Sequence, residues 1–104
     1  MEVAELEIFS TVSNHAIVRL QGRMHPGVVI QGDSLSILVR AALRLVSMLK
    51  ETSSSGEEIG EAEFLACELG ECLLHYQGVL TAHSLELPYT EPLRADELPA
   101  CDDT

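Results

Sequence analysis

Between Ile30 and Leu35 the spacing of apolar residues changes from two to that of a helix, and one kind of secondary structure cannot satisfy both. Upstream, Ala4, Leu6 and Ile8 fall on one face of VAELEIF while Glu5 and Glu7 fall on the other. HAIVRLQ separates Ala16, Val18 and Leu20 from His15, Ile17 and Arg19, and VVIQ separates Val28 and Ile30 from Val29 and Gln31. Three strands are predicted. Their connections, residues 11–14 and 21–27, are too short for a parallel crossover, so an antiparallel meander follows. The Pro26-Gly27 pair suits a type II turn. The outer face, with Phe9, Ile17 and Val29 among Glu5, Glu7 and Arg19, is a candidate contact surface, including for a homodimer.

Downstream, Leu35, Leu38, Val39, Ala42, Leu45, Val46 and Leu49 make one stripe of a helix over about residues 34–50, with Asp33 or Ser34 as its N-cap. Ser55 with Glu58 three residues on reads as a capping box for a second helix. The stripe of that helix is Ala62, Leu65, Ala66, Leu69, Cys72, Leu73, Tyr76, Val79, Leu80 and His83. Gly60, Gly70 and Gly78 interrupt it, so either close packing accommodates them or the helix kinks near Gly78.

The expected fold is therefore α+β: a three-stranded antiparallel meander, then a helical hairpin packed on one face. Leu6, Ile8, Val18, Leu20, Val28 and Ile30 would face the helices. A chain of 104 residues with 46% hydrophobic residues, 4% aromatics and no Trp builds one aliphatic core. Residues 1–90 are expected as a single compact domain. Residues 91–104, acidic, proline-bearing and without periodicity, are expected as an extended or disordered tail.

Charge divides the chain unevenly. Residues 1–50 sum to +1 and residues 51–104 to -12, which together make the formal -11. Such a field disfavours nucleic acid and anionic membrane and favours encounter with a basic partner. Cys67, Cys72 and Cys101 are too few for a disulfide framework, and Cys67 and Cys72 diverge around one helix. Free thiols, a reducing compartment and a cytoplasmic location are expected. MEVAELEIF carries acids where a secretory signal needs bases, and no apolar run approaches a membrane span.

Gly32-Asp33-Ser34-Leu35 resembles the nucleophile block of the Gly-Asp-Ser-Leu hydrolases, which also stands after a strand. Those enzymes need a base from an Asp-x-x-His. Here Cys72 and Leu80 precede His75 and His83 by three residues, and a serine without a positioned base is a weak nucleophile. No catalytic residue is assigned, and Ser34 is read as a helix-start residue. Cys67, Glu71 and His75, with Glu68 and Cys72 alongside, carry ligand chemistry. In one helical row they span about 12 Å, too far to converge on one ion, so no metal is expected. Nothing calls for a cofactor.

The block NHAIVRLQGRMHPGVVIQGDSLSIL, residues 14–38, followed by a helical pair and ELPY at 86–89, resembles a family of small bacterial proteins of unknown function, over about residues 3–89. His15, where that pattern has an aromatic, and the acidic tail depart from it. The resemblance implies no activity; by analogy with short genes that lie beside toxin genes it suggests an immunity role.

Two functions are carried forward. The first is a non-catalytic module that binds a basic protein, most concretely an immunity protein occluding the cleft of a secreted toxin. It would use Glu57, Glu58, Glu61, Glu68, Glu71, Asp96 and Glu97. The second is an accessory domain that binds a small molecule at the start of the first helix, through Gln31, Gly32, Asp33 and Ser34.

Overall fold

The alternating segments pair as an antiparallel sheet in the order β1 (Glu7–Ser10), β2 (Ile17–Arg19), β3 (Gly27–Val28). Two helices that pack together follow, α1 (Gly32–Glu51) and α2 (Gly56–Ala82), so the chain is α+β. The computed structural model describes residues 1–52 and 54–101 and divides into two units, Met1–Gln31 and Gly32–Thr104.

In the first unit the strands are shorter than the alternation that predicts them. Glu7 pairs with Arg19 and Ile8 with Val18, then an irregularity shifts the register so that Ser10 meets Ile17. Arg19 grips Glu7 with two bonds, Nε to Oε1 at 3.0 Å and Nη2 to Oε2 at 2.9 Å, and its guanidinium carbon lies 5.5 Å from the Phe9 ring centroid. The turn after β2 uses a different glycine from the one expected. The Arg23 N–H donates to the Leu20 carbonyl at 3.2 Å, and Gly22 carries the positive φ, 80°, that a type II turn requires in its third position. Gly27 instead belongs to β3.

In the second unit α1 begins at Gly32, so Asp33 and Ser34 lie inside its first turn and not before it. Asp33 Oδ1 accepts the Ser34 N–H at 2.8 Å. Gly32 is buried under Tyr76, where any Cβ would collide with the ring. Ser55 caps α2 as expected, its hydroxyl accepting the Glu58 N–H at 3.1 Å. The far end closes in a Schellman arrangement: Leu85 N–H reaches the Leu80 carbonyl at 2.9 Å and Ser84 N–H the Thr81 carbonyl at 3.1 Å. Ser84 holds the left-handed position, φ 57°, where glycine is the usual residue.

The core has two parts. Near the loop between the helices, Ala42 and Val46 pack on Ala62 and Ala66, with Leu43 and Leu49 at the margin. At the open end Leu35, Val39 and Leu73 gather around Leu93, which comes from beyond α2. Of the expected stripes, Leu38, Leu45, Leu65, Cys72, Val79 and His83 are exposed, while Cys67, Gly70 and Gln77 are buried in α2. The buried face of α2 thus mixes Leu73 with small and polar residues and leaves Phe64 and Leu65 in solvent. Gly70 is the glycine that close packing requires, since a Cβ there would meet Leu98; Gly60 and Gly78 meet nothing, and α2 runs through both.

Cys67 and Cys101 form a disulfide, with Cα atoms 5.7 Å apart, and Cys72 alone is a free thiol. This overturns the expectation of free thiols, which rested on three cysteines being too few for a framework and on the divergence of Cys67 and Cys72 around one helix. The pairing partner lies 34 residues downstream, where only the fold brings it near. The inference of a reducing compartment from free thiols falls with it. No helix among the described residues is long and apolar enough to cross a membrane.

Gly60→Ala and Gly78→Ala are each expected to raise stability by about 0.5–1 kcal/mol, because they stiffen the helix at no steric cost. Ser84→Gly, which relieves the left-handed strain, is expected to add about 1 kcal/mol. Gly32→Ala and Gly70→Ala are expected to cost about 1–3 kcal/mol by overpacking. Thermal unfolding of the five variants against the parent checks the ordering, at roughly 4–8 °C per kcal/mol for a chain of this size.

Candidate functional site

Residues 89–101 follow α2 and return over the hairpin as a strap. The backbone is extended at Arg94 (φ -100°, ψ 146°) and at Leu98 (φ -81°, ψ 147°), on either side of one 3-10 turn, Ala95–Glu97. Part of the segment expected as an extended or disordered tail is therefore extended but anchored. Leu93 is 3% exposed in the leucine cluster, and Tyr89 and Leu98 pack beside it.

The anchor is polar. Gln77 occupies the buried face of α2, one turn beyond Leu73, and is 9% exposed. Its Nε2 donates to the Leu93 carbonyl at 2.9 Å, and its Oε1 accepts the Leu93 N–H at 2.8 Å and the Tyr89 hydroxyl at 2.8 Å. A side-chain amide thus pairs with both main-chain groups of one residue, as a neighbouring strand would. Burial, with Tyr76 adding to it and Arg40 opposing, raises the Tyr89 pKa above its ordinary value of 10.0, so Tyr89 remains a donor at neutral pH.

A second attachment lies one turn of α1 beyond Ser36. Arg40 Nη1 donates to Glu97 Oε1 at 2.8 Å, and Glu97 Oε2 accepts the Arg94 N–H at 2.7 Å. The Arg40 hydrogen bond first, and the Arg94 main-chain bond next, hold the Glu97 carboxyl below its ordinary 4.5. The disulfide at Cys101 makes the third attachment.

The carboxylates proposed for partner binding divide between two settings. Glu57, Glu58, Glu61, Glu68 and Glu71 are all exposed on α2. Glu57, Glu61, Glu68 and Glu71 stand at offsets 0, 4, 11 and 14 along the helix, which places them in one row. Phe64, at offset 7, stands in the middle of that row, 62% exposed. Glu97 does not join them: its charge is spent on Arg40. Asp96 pairs with Arg94 at 3.2 Å in a fully wet setting. Phe64 lies off the apolar stripe read for α2, which is the one sequence signal of its exposure.

The small-molecule site at the start of α1 is partly filled. Tyr76 covers Gly32, Asp33 spends an oxygen on the Ser34 N–H, and Gln31 is exposed at the end of the first unit. No histidine hydrogen-bonds the Ser34 hydroxyl among the described residues. Among those residues no group of three His, Cys, Asp or Glu side chains is placed to hold a metal ion, and Cys67 is committed to the disulfide.

A family model matches residues 1–89, which is most of the chain. The chain belongs to the family of unknown function DUF6959. The DUF6959 match takes in the sheet and both helices and ends at Tyr89, so Leu93, Glu97 and Cys101 lie outside it. No curated protein and no solved structure matches the chain.

The strap attachments respond to substitution and to acid. Gln77→Leu, which strands the Leu93 N–H and carbonyl, is expected to cost about 2–4 kcal/mol, read from denaturant unfolding. Glu97 has a lowered pKa in the folded chain, so its contribution is complete above 4.5 and is lost as pH falls through the lower folded value. A difference in stability between parent and Arg40→Ala of about 1 kcal/mol at pH 7 is expected to shrink below pH 4.5. Stability measured at both pH values checks the sign.

Proposed function

We propose that this chain is a non-catalytic protein-binding module that docks through the exposed α2 row onto a basic surface of a partner. The observation that carries this reading is Phe64, a large aromatic 62% exposed between Glu61 and Glu68 in a line of carboxylates. An apolar anchor ringed by like charge suits a partner that offers a pocket rimmed with lysine and arginine. Burial of the ring supplies affinity, and the carboxylates supply steering and orientation. The negative balance of residues 51–104 extends the reach of that steering.

The partner class that such a surface fits is a protein with a basic cleft. Most concretely, it is a toxin domain that acts on an anionic substrate, which the module would neutralise as an immunity protein by occupying the cleft. Glu57, Glu58, Glu61, Glu68 and Glu71 carry the charge in this reading. Glu97 drops out as an internal ion-pair partner.

Tagged protein exposed to lysate of the source organism at low salt is expected to retain a basic protein in stoichiometric amount and to release it near 0.5 M salt. Phe64→Ala is expected to weaken the captured complex by about tenfold or more through the dissociation rate. Replacing Glu57, Glu61, Glu68 and Glu71 with Gln is expected to slow association and flatten its salt dependence. Equal capture by parent and both variants overturns the reading.

A further inference from the structure

The surface beneath the strap is shaped to hold a polypeptide backbone. Gln77 binds Leu93 through main-chain groups alone, an interaction available to any residue except proline at that point. Leu93 fills a socket of Leu35, Val39 and Leu73. Gly70 is bare where the Leu98 side chain lies, and Arg40 meets a carboxylate four residues beyond Leu93. These floor residues all fall within 1–89, the span shared with the family, whereas Leu93, Glu97 and Leu98 lie beyond it. With the strap in place the Gln77 amide is 9% exposed and gives both its donor and its acceptor to the main chain of one extended residue, so the floor is matched to a polypeptide backbone.

We propose that the α1–α2 floor is a binding site for an extended peptide of a partner protein, that residues 89–101 are its intramolecular competitor, and that the Cys67–Cys101 disulfide locks the occupied state. The fitting peptide has a leucine or similar apolar residue for the socket and an Asp or Glu four positions later for Arg40. This goes beyond the docking surface on α2, and the floor shares no residue with the Phe64 row, so either can fail alone.

The lock opens by thiol–disulfide exchange with a dithiol or glutathione-type reductant. A reductant thiolate attacks one protein sulfur to give a mixed disulfide and one protein thiolate. A second reductant thiolate then displaces the remaining protein sulfur. Cys67 and Cys101 gain two electrons and two protons, and the reductant leaves as its disulfide. While the lock is closed the strap cannot leave. Once it is open, the tethered strap still competes at an effective concentration on the order of millimolar, which sets the threshold a partner must exceed.

The test uses the full chain and, as probe, a fluorescent synthetic peptide of residues 88–101 carrying Cys101→Ser. Fluorescence anisotropy is expected to show no binding to the oxidised parent. The full-length Leu93→Ser, Cys101→Ser variant, whose own strap has lost its anchor, is expected to bind at least about tenfold more tightly than the reduced parent. Adding Gln77→Ala, or placing Glu97→Lys in the peptide, is expected to weaken that binding by about tenfold each. Absence of binding by the strap-weakened variant with its helical circular dichroism intact overturns the proposal, as does indifference to Gln77→Ala. Should that variant not fold, amide exchange on the native chain decides. Reductant is expected to speed exchange at the Leu93 N–H at least about tenfold with α1 and α2 unchanged, and equal protection in both states overturns the lock.

Discussion

One buried side-chain amide organises the second half of this chain. Gln77 sits on the buried face of α2, and its amide is satisfied from the strap. Burial of such a group without partners costs more than a hydrogen bond returns, so a partner must be brought in. Leu93 supplies both a donor and an acceptor, and Tyr89 supplies another donor. Once Leu93 is held by its backbone, its side chain completes the cluster of Leu35, Val39 and Leu73. The polar contact thereby fixes where the apolar one forms.

The charges follow from the same arrangement. Bringing the strap over α1 sets Glu97 against Arg40 and leaves Arg94 and Asp96 in solvent. Lys50 takes Glu63 from the other helix at 3.4 Å. With Arg40, Lys50 and Arg94 so engaged, the row from Glu57 to Glu71 keeps its negative field. Burial of Gln77 and Leu73 on one side of α2 also fixes the opposite side, where Phe64 must face solvent. Core and surface are two consequences of one helix rotation.

Much of this was legible in the residues. The change of period at Gly32 placed the meander before the helices, and Ser55 marked the start of α2. The register of β1 was not legible, because the irregularity between Ile8 and Ser10 leaves no mark in the alternation. The type II turn was anticipated on Gly27 and forms on Gly22, since two glycines competed and only the pairing of β2 with β3 chooses between them. The face of α2 was legible in part: Ala62, Ala66 and Leu73 are buried as expected, while Leu65, Cys72 and Val79 are exposed and Gly70 and Gln77 take their place in the core. Contact with Leu98 and Leu93 decides in favour of the small and the polar. The strap itself has no periodicity, and its signals, a glutamine on a core face and a distant cysteine, acquire meaning only in three dimensions. For the candidate site, the α2 carboxylates were visible in the sequence, and the exposure of Phe64 among them was not.

The central claim is that Gln77 and the leucine socket hold Leu93 against the hairpin. Methyl-detected NMR on the native chain tests it most directly. The account predicts nuclear Overhauser contacts from the Leu93 methyls to those of Val39 and Leu73, together with a Leu93 amide proton shifted and protected as a hydrogen-bonded group. Random-coil shifts across residues 89–101, with no contact between Leu93 and either helix, would contradict it.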